Sequence, residues 1–167
     1  MPRVSPERNE EPLDAWLGLQ YGGLEPGHTV RLPVLSASMV PYLVPGGQIT
    51  IQRLSWQKCR VGDIVVYRGD GRLTAHRLLF RLGVCGEWFL YQKGQRNPLG
   101  EWIRADRVVG VVVGTQGVNG EYVDLSTDAA KRGARECAHK QLVSDLRARI
   151  WALPRALKRR LKSISWQ

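Results

Sequence analysis

Cysteine and histidine are scarce in this chain, with three of each in 167 residues. Cys59, Cys85 and Cys137 lie far apart, with no Cys-x-x-Cys and no paired histidine spacing, so neither a zinc site nor a disulfide framework is expected. No other metal or cofactor is expected, and an odd number of scattered thiols fits a reducing compartment. Acidic residues run out towards the C-terminus: residues 129–167 hold 11 basic and 2 acidic side chains, whereas residues 1–128 hold 14 and 13. The formal charge of +10 therefore belongs to a basic appendage on a nearly neutral body, which excludes a uniformly basic nucleic-acid-binding fold. A continuous apolar run is missing too. The first residues have nothing apolar behind Arg3 that would make a secretory signal. Leu32 to Gln52 is uncharged over a length near the roughly 20 residues of a membrane span. Pro33, Pro41, Pro45, Gly46 and Gly47 would break that helix repeatedly, and Ser36, Ser38, Gln48 and Thr50 add polar cost, so the stretch reads as folded protein.

What remains is a chain apolar enough, at 43%, to form one core. Residues 1–28 form a polar segment in which Asp14 to Tyr21 is expected to be a short helix capped by Asp14. Residues 29–128 read as β structure. Short runs rich in Val, Ile, Tyr, Phe and Trp cover 29–34, 48–53, 63–68, 73–81, 87–93 and 107–113, with a further short run at 122–124. Turn residues separate them, and Asp70-Gly71 reads as a hairpin. With no helical pattern between Thr29 and Val113, the expected class is mainly β, antiparallel sheets or an open barrel. Residues 129–167 form a basic amphipathic helical tail: Leu142, Leu146, Ile150, Leu153, Leu157, Leu161 and Ile164 recur at steps of three and four, with a joint near Pro154.

The segment that carries chemistry is Ser36-Ala37-Ser38-Met39-Val40-Pro41. Serine becomes a nucleophile when a neighbouring base takes its proton, and acyl transfer also needs donors for the developing oxyanion. A serine two residues before the nucleophile can point to the same side and supply one donor. Alone the segment is equally a plain loop with Met39 packed inward. His76 follows in Leu73-Thr74-Ala75-His76-Arg77-Leu78, after Gly62-Asp63-Ile64-Val65-Val66-Tyr67 and before Lys93-Gly94-Gln95-Arg96-Asn97.

Together these four blocks, spread over residues 30–114, resemble the signal peptidase I superfamily of serine peptidases. Ala75-His76-Arg77 is similar to the type, found in the endoplasmic reticulum and archaea, that uses histidine rather than lysine as base. The resemblance implies a signal-peptidase-type β fold with Ser38 as nucleophile and His76 as general base. It also implies an oxyanion hole formed by the Ser38 backbone N–H and the Ser36 hydroxyl. Histidine-type relatives carry an aspartate after Lys-Gly in the late block; here that position is Gln95, a candidate to orient the histidine by a hydrogen bond without a charge. The family's earlier Gly-Asp pair is Gly46-Gly47 here. Asp63 reads as a turn or salt-bridge residue, Lys93 as structural, and His28 and His139 fall outside every block. Trp88, Phe89 and Tyr91 read as core or cleft wall.

The expected function is a serine endopeptidase with a Ser/His dyad that removes a leader or signal-like peptide from a peptide or protein precursor. The alternatives are a catalytically silent binding module of the same fold and, ranked below it, a self-cleaving repressor-like regulator, which would need a DNA-binding module and a lysine base. The tail has three readings: a solvated helix packed on the body, a helix lying in an anionic membrane interface, or a nucleic-acid or acidic-partner patch. The last ranks lowest because neither a helix-turn-helix-like segment nor an aromatic stacking platform is present. The expected location is cytoplasmic, at the inner membrane surface if the tail attaches there, with no membrane-spanning helix.

Overall fold

A computed structural model describes residues 27–69 and 71–152. The expected helix at 14–21 and the tail beyond Ala152, including Pro154, lie outside the described residues. Eight strands form a single sheet: β1 (Thr29–Pro33), β2 (Gln48–Arg53), β3 (Ile64–Arg68), β4 (Leu73–Val84), β5 (Glu87–Lys93), β6 (Glu101–Arg104), β7 (Val108–Gln116) and β8 (Tyr122–Asp124). The order across the sheet is β1-β2-β7-β3-β4-β5-β6, with β8 added to β7, and every pairing is antiparallel. Among the described residues one α-helix, α1 (Asp128–Ala152), follows the strands. The expectation of a mainly β, antiparallel protein with a C-terminal helix therefore holds. β6 was not anticipated, because Glu-Trp-Ile-Arg offers four residues with only Ile103 buried.

β3 explains how the core is divided. Its Ile64-Val65-Val66-Tyr67 run is buried on both faces, as an uninterrupted apolar strand should be. Ile64 and Val66 join Leu32, Val34, Met39, Leu43, Ile49, Ile51 and Val112 in one cluster. Val65 and Tyr67 join Leu78, Leu90, Ile103 and Val111 in a second. The first cluster lies beneath the segment that carries Ser38; the second lines the sheet face from which His76 projects.

The hairpin expected around Asp70-Gly71 joins β3 to β4, with Val65 opposite His76 and Tyr67 opposite Thr74. Directly opposed residues share a face, so His76 and Tyr67 stand on the same side of the sheet. On β5, Gln92 is opposite Leu78, two residues from His76, and joins that face.

Helix α1 begins with Thr127, whose hydroxyl accepts the Ala130 N–H at 3.2 Å, and Asp128 occupies the positive end of the helix dipole. Its backbone passes so close to Gly62 that a Cβ there would stand 2.8 Å from the Arg135 nitrogen; with φ of +101° as well, the position favours glycine twice over. The face that docks is not the leucine stripe. Ala138 and Asp145 are buried, and Leu142 packs beside Leu79 and Tyr91. Leu146, Ile150 and Trp151 are 51%, 52% and 80% exposed, so the leucine stripe turns away from the sheet after its first member. Among the described residues no helix is long and apolar enough to cross a membrane.

Candidate active site

Ser38 sits in a tight coil after β1. Val40 N–H donates to Ala37 O, and the Tyr42 and Leu43 N–H groups donate to Met39 O, while the Met39 side chain is 2% exposed within the first core cluster. Met39 is thus packed inward, and this anchors the turn while leaving the adjacent Ser38 half-buried at the surface. From the other side, Arg96 N–H donates to Ser38 O at 2.9 Å, tying the serine to the 94–100 loop.

Ser38 Oγ lies 3.2 Å from His76 Nε2. Ser36 Oγ lies 3.2 Å from Ser38 Oγ, on the exposed side. The other ring nitrogen, His76 Nδ1, is 2.6 Å from Gln92 Oε1 and 3.3 Å from the Tyr67 hydroxyl. With Gln92 Oε1 as acceptor, Nδ1 carries the proton and Nε2 presents its lone pair to the serine. Gln92 Nε2 is buried with no hydrogen-bond partner among the described residues, so the glutamine uses only its oxygen here. Burial pushes the Tyr67 hydroxyl up to about 12, which keeps it protonated over the working pH range.

Burial also lowers the His76 pKa from its ordinary value; the Gln92 hydrogen bond and the Glu101 charge raise it, without cancelling the desolvation, and Arg72 lowers it further. His76 is therefore a neutral imidazole at neutral pH, able to accept a proton.

Gly94 belongs to this constellation. A Cβ at this position would stand 2.9 Å from His76 Nε2 and 2.9 Å from Asn97 Oδ1, so a side chain would press on the nitrogen that faces the serine.

The residue behind the imidazole is Gln92, not the expected Gln95. Gln95 is half-buried and turns the other way: its Oε1 accepts from Gln141 Nε2 at 2.7 Å and from the Cys137 thiol at 3.8 Å, both on α1. The reason is register. Gln92 shares the sheet face of Leu78 and His76, whereas Gln95 lies beyond the end of β5 in the loop that meets the helix. The clue available in the sequence was a single uncharged polar residue inside the run Phe89-Leu90-Tyr91-Gln92, at the inward parity of Leu90.

Lys93 points into the interface with α1, where its ammonium pairs with Asp145 and donates to Pro98 O at 3.1 Å. Asp63 accepts the Arg60 N–H at 2.7 Å and closes a turn, while burial raises its pKa. Tyr91 is core beneath α1, whereas Trp88 lies on the outside of the sheet against Trp56 and Arg81. His28 and His139 are exposed. The three cysteines are free thiols, and among the described residues no cluster of His, Cys, Asp and Glu could hold a metal ion.

The arrangement brings together a serine hydroxyl, an imidazole nitrogen whose lone pair faces it, and a second hydroxyl beside the first. No protein-family model matches the chain, and no curated protein matches it.

Proposed function

We propose that this chain is a serine endopeptidase of the signal-peptidase type that removes a leader from a peptide or protein precursor. The observation that carries this reading is the approach of His76 Nε2 to Ser38 Oγ at 3.2 Å, with Nδ1 held by Gln92. In this reading Ser38 Oγ attacks the scissile carbonyl carbon while its proton passes to His76 Nε2. The carbonyl oxygen becomes an oxyanion that receives hydrogen bonds from the Ser36 hydroxyl and the Ser38 backbone N–H. The imidazolium then gives its proton to the departing amine, leaving an acyl-serine. Water, deprotonated by the same nitrogen, attacks that ester and regenerates Ser38.

The partners that accompany this reading are a precursor peptide and an anionic membrane surface. The membrane is supported by the exposed Leu146, Ile150 and Trp151 on a helix whose segment of the chain carries 11 basic and 2 acidic residues.

Labelling with a fluorophosphonate, read by mass spectrometry of the modified peptide, tests the assignment. The wild-type chain is expected to be modified at Ser38, Ser38→Ala to remain unmodified, and His76→Ala to react at least a hundredfold more slowly. Equal labelling of all three would remove Ser38 and His76 from the mechanism. A wild-type chain that takes no label although Ser38 is accessible would favour a silent binding module.

A further inference from the structure

Four polar or thiol side chains of α1 stand one turn apart, at Cys137, Gln141, Asp145 and Arg149, and all of them reach the scaffold of the candidate active site. The Tyr42 hydroxyl, four residues beyond Ser38, lies 3.6 Å from Cys137 Sγ. Gln141 donates to Gln95. Arg149 donates to the Tyr91 hydroxyl and to Gly100 O, at 3.2 and 3.3 Å.

Asp145 is the most deeply engaged. It is 1% exposed, and its carboxylate receives the Lys93 ammonium, the Tyr91 hydroxyl at 2.7 Å and the Gly100 N–H at 2.7 Å. Lys93 and Gly100 flank the 94–99 loop at its two ends, and Lys93 also donates to Pro98 O within it. One carboxylate therefore closes the loop that carries Gly94, against His76 Nε2, and Arg96, whose N–H holds Ser38 O. It also pins the residue next to Gln92. A surface helix that merely packed on the sheet would bury its leucines; this one leaves Leu146 and Ile150 outside and buries a carboxylate. Burying that charge is costly unless each acceptor site is satisfied, and the donors that satisfy it come from the loop and strand next to Ser38 and His76.

We propose that Asp145 is a positioning residue for the Ser38/His76 pair, acting through Lys93 and Gly100 to hold the 94–100 loop against both. The proposal rests on the peptidase reading for its consequence in catalysis, but the geometry it describes exists independently of it. With Asp145→Asn the ion pair is lost and an amide replaces one of the two acceptor oxygens, so the loop loses its closure while the side chain keeps its shape. The Lys93 and Gly100 donors then share one neutral acceptor.

The test compares Asp145→Asn with Leu142→Ala, which weakens the apolar docking of the same helix without touching the loop. Both are studied in the full chain, below their unfolding temperatures. Asp145→Asn is expected to react with a fluorophosphonate at Ser38 at least tenfold more slowly than wild type, and Leu142→Ala within threefold of it. Titration of the His76 ring by nuclear magnetic resonance is the second readout. In Asp145→Asn it is expected to move up towards the exposed-imidazole range as water enters, and in Leu142→Ala to stay at the wild-type value. Equal effects of the two variants at equal loss of stability would make Asp145 a structural residue and overturn the proposal, as would a folded Asp145→Asn that labels and titrates like wild type. If the wild-type chain takes no label at all, the peptidase reading falls, and the His76 titration still decides whether Asp145 positions the pair.

Discussion

Replacing Gln92 by glutamate would put a carboxylate oxygen where Oε1 now stands, 2.6 Å from His76 Nδ1, with almost no change in volume. In the native chain the imidazole is held below its ordinary pKa by burial, and its partner supplies a dipole rather than a charge. The base form therefore predominates down through pH 6.5, and the ascending limb of kcat/KM falls below that value. A carboxylate and an imidazolium with charge centres about 4 Å apart attract by about 4 kcal/mol at an effective dielectric of about 20, equivalent to about 3 pKa units. Against this stands the desolvation of a carboxylate at a residue that is 1% exposed and whose second polar atom has no partner. The net expectation for His76 is a rise, smaller than the attraction alone would give.

In the proposed peptidase reading, the imidazolium that forms as Ser38 attacks gains the same interaction. Above both pKa values the variant should be faster, by about tenfold for each 1.4 kcal/mol retained in the transition state. On the acid limb it should be slower, because its histidine is protonated at pH values where the native one is still neutral. Two pH profiles that cross are thus expected, measured as kcat/KM from pH 5 to 9 on a cleaved peptide and checked by the His76 ring titration. If the Gln92→Glu limb stays where it was or moves to lower pH, the glutamine does not act on His76 as described. Gln92→Leu serves as the control: it keeps the packing, leaves the tautomer unset and should lose activity about a hundredfold or more.

Gly94→Ala should lower kcat by about a hundredfold, because its methyl group would press on His76 Nε2, while the melting temperature changes only modestly; unchanged kcat would show that the ring has room to spare. Burial would raise the Asp145 pKa, but Lys93, Tyr91 and Gly100 hold the carboxyl below its ordinary value. Its contribution to stability is therefore complete above the unfolded value of about 3.9 and is lost as pH falls through the folded one. The urea midpoint of wild type should fall as pH is lowered below about 4, and that fall should be shallower in Asp145→Asn. The same slope in both would place the acid sensitivity elsewhere. Raised by burial, Asp63 contributes with the opposite sign, but it is common to both chains and drops out of the comparison. Replacing Leu146, Ile150 and Trp151 together by serine should abolish co-sedimentation with anionic vesicles and leave Ser38 labelling in solution unchanged; undiminished sedimentation would remove the apolar stripe from membrane attachment.

Most of the strands were legible because an antiparallel sheet with a two-sided core writes its apolar runs and turn residues into the chain locally. β3 is the clearest case and β6 the exception, since four residues with one buried side chain carry too little pattern. Ser38 and His76 were legible as candidates through the order of their flanking blocks. The partner of His76 was not. A glutamine in a strand acquires a role only from the residue across the ladder, and the choice between Gln92 and Gln95 depends on where β5 ends and which way its last side chains point.

The sequence by itself determined that the body would be antiparallel β and nearly neutral, that the basic excess would lie in residues 129–167, and which hydroxyl and imidazole were worth pairing. The first two follow from local periodicity and composition; the pairing is what the resemblance of the flanking blocks implies. Only the tertiary structure decided which face of that helix is buried. Periodicity pointed to Leu142, Leu146 and Ile150, yet the sheet and its loop present an ammonium, a phenol hydroxyl and a backbone N–H that need an acceptor. An unsatisfied buried donor costs about as much as an exposed leucine forfeits, and the ammonium costs more. The helix therefore turns Asp145 inward and leaves two of its apolar residues outside.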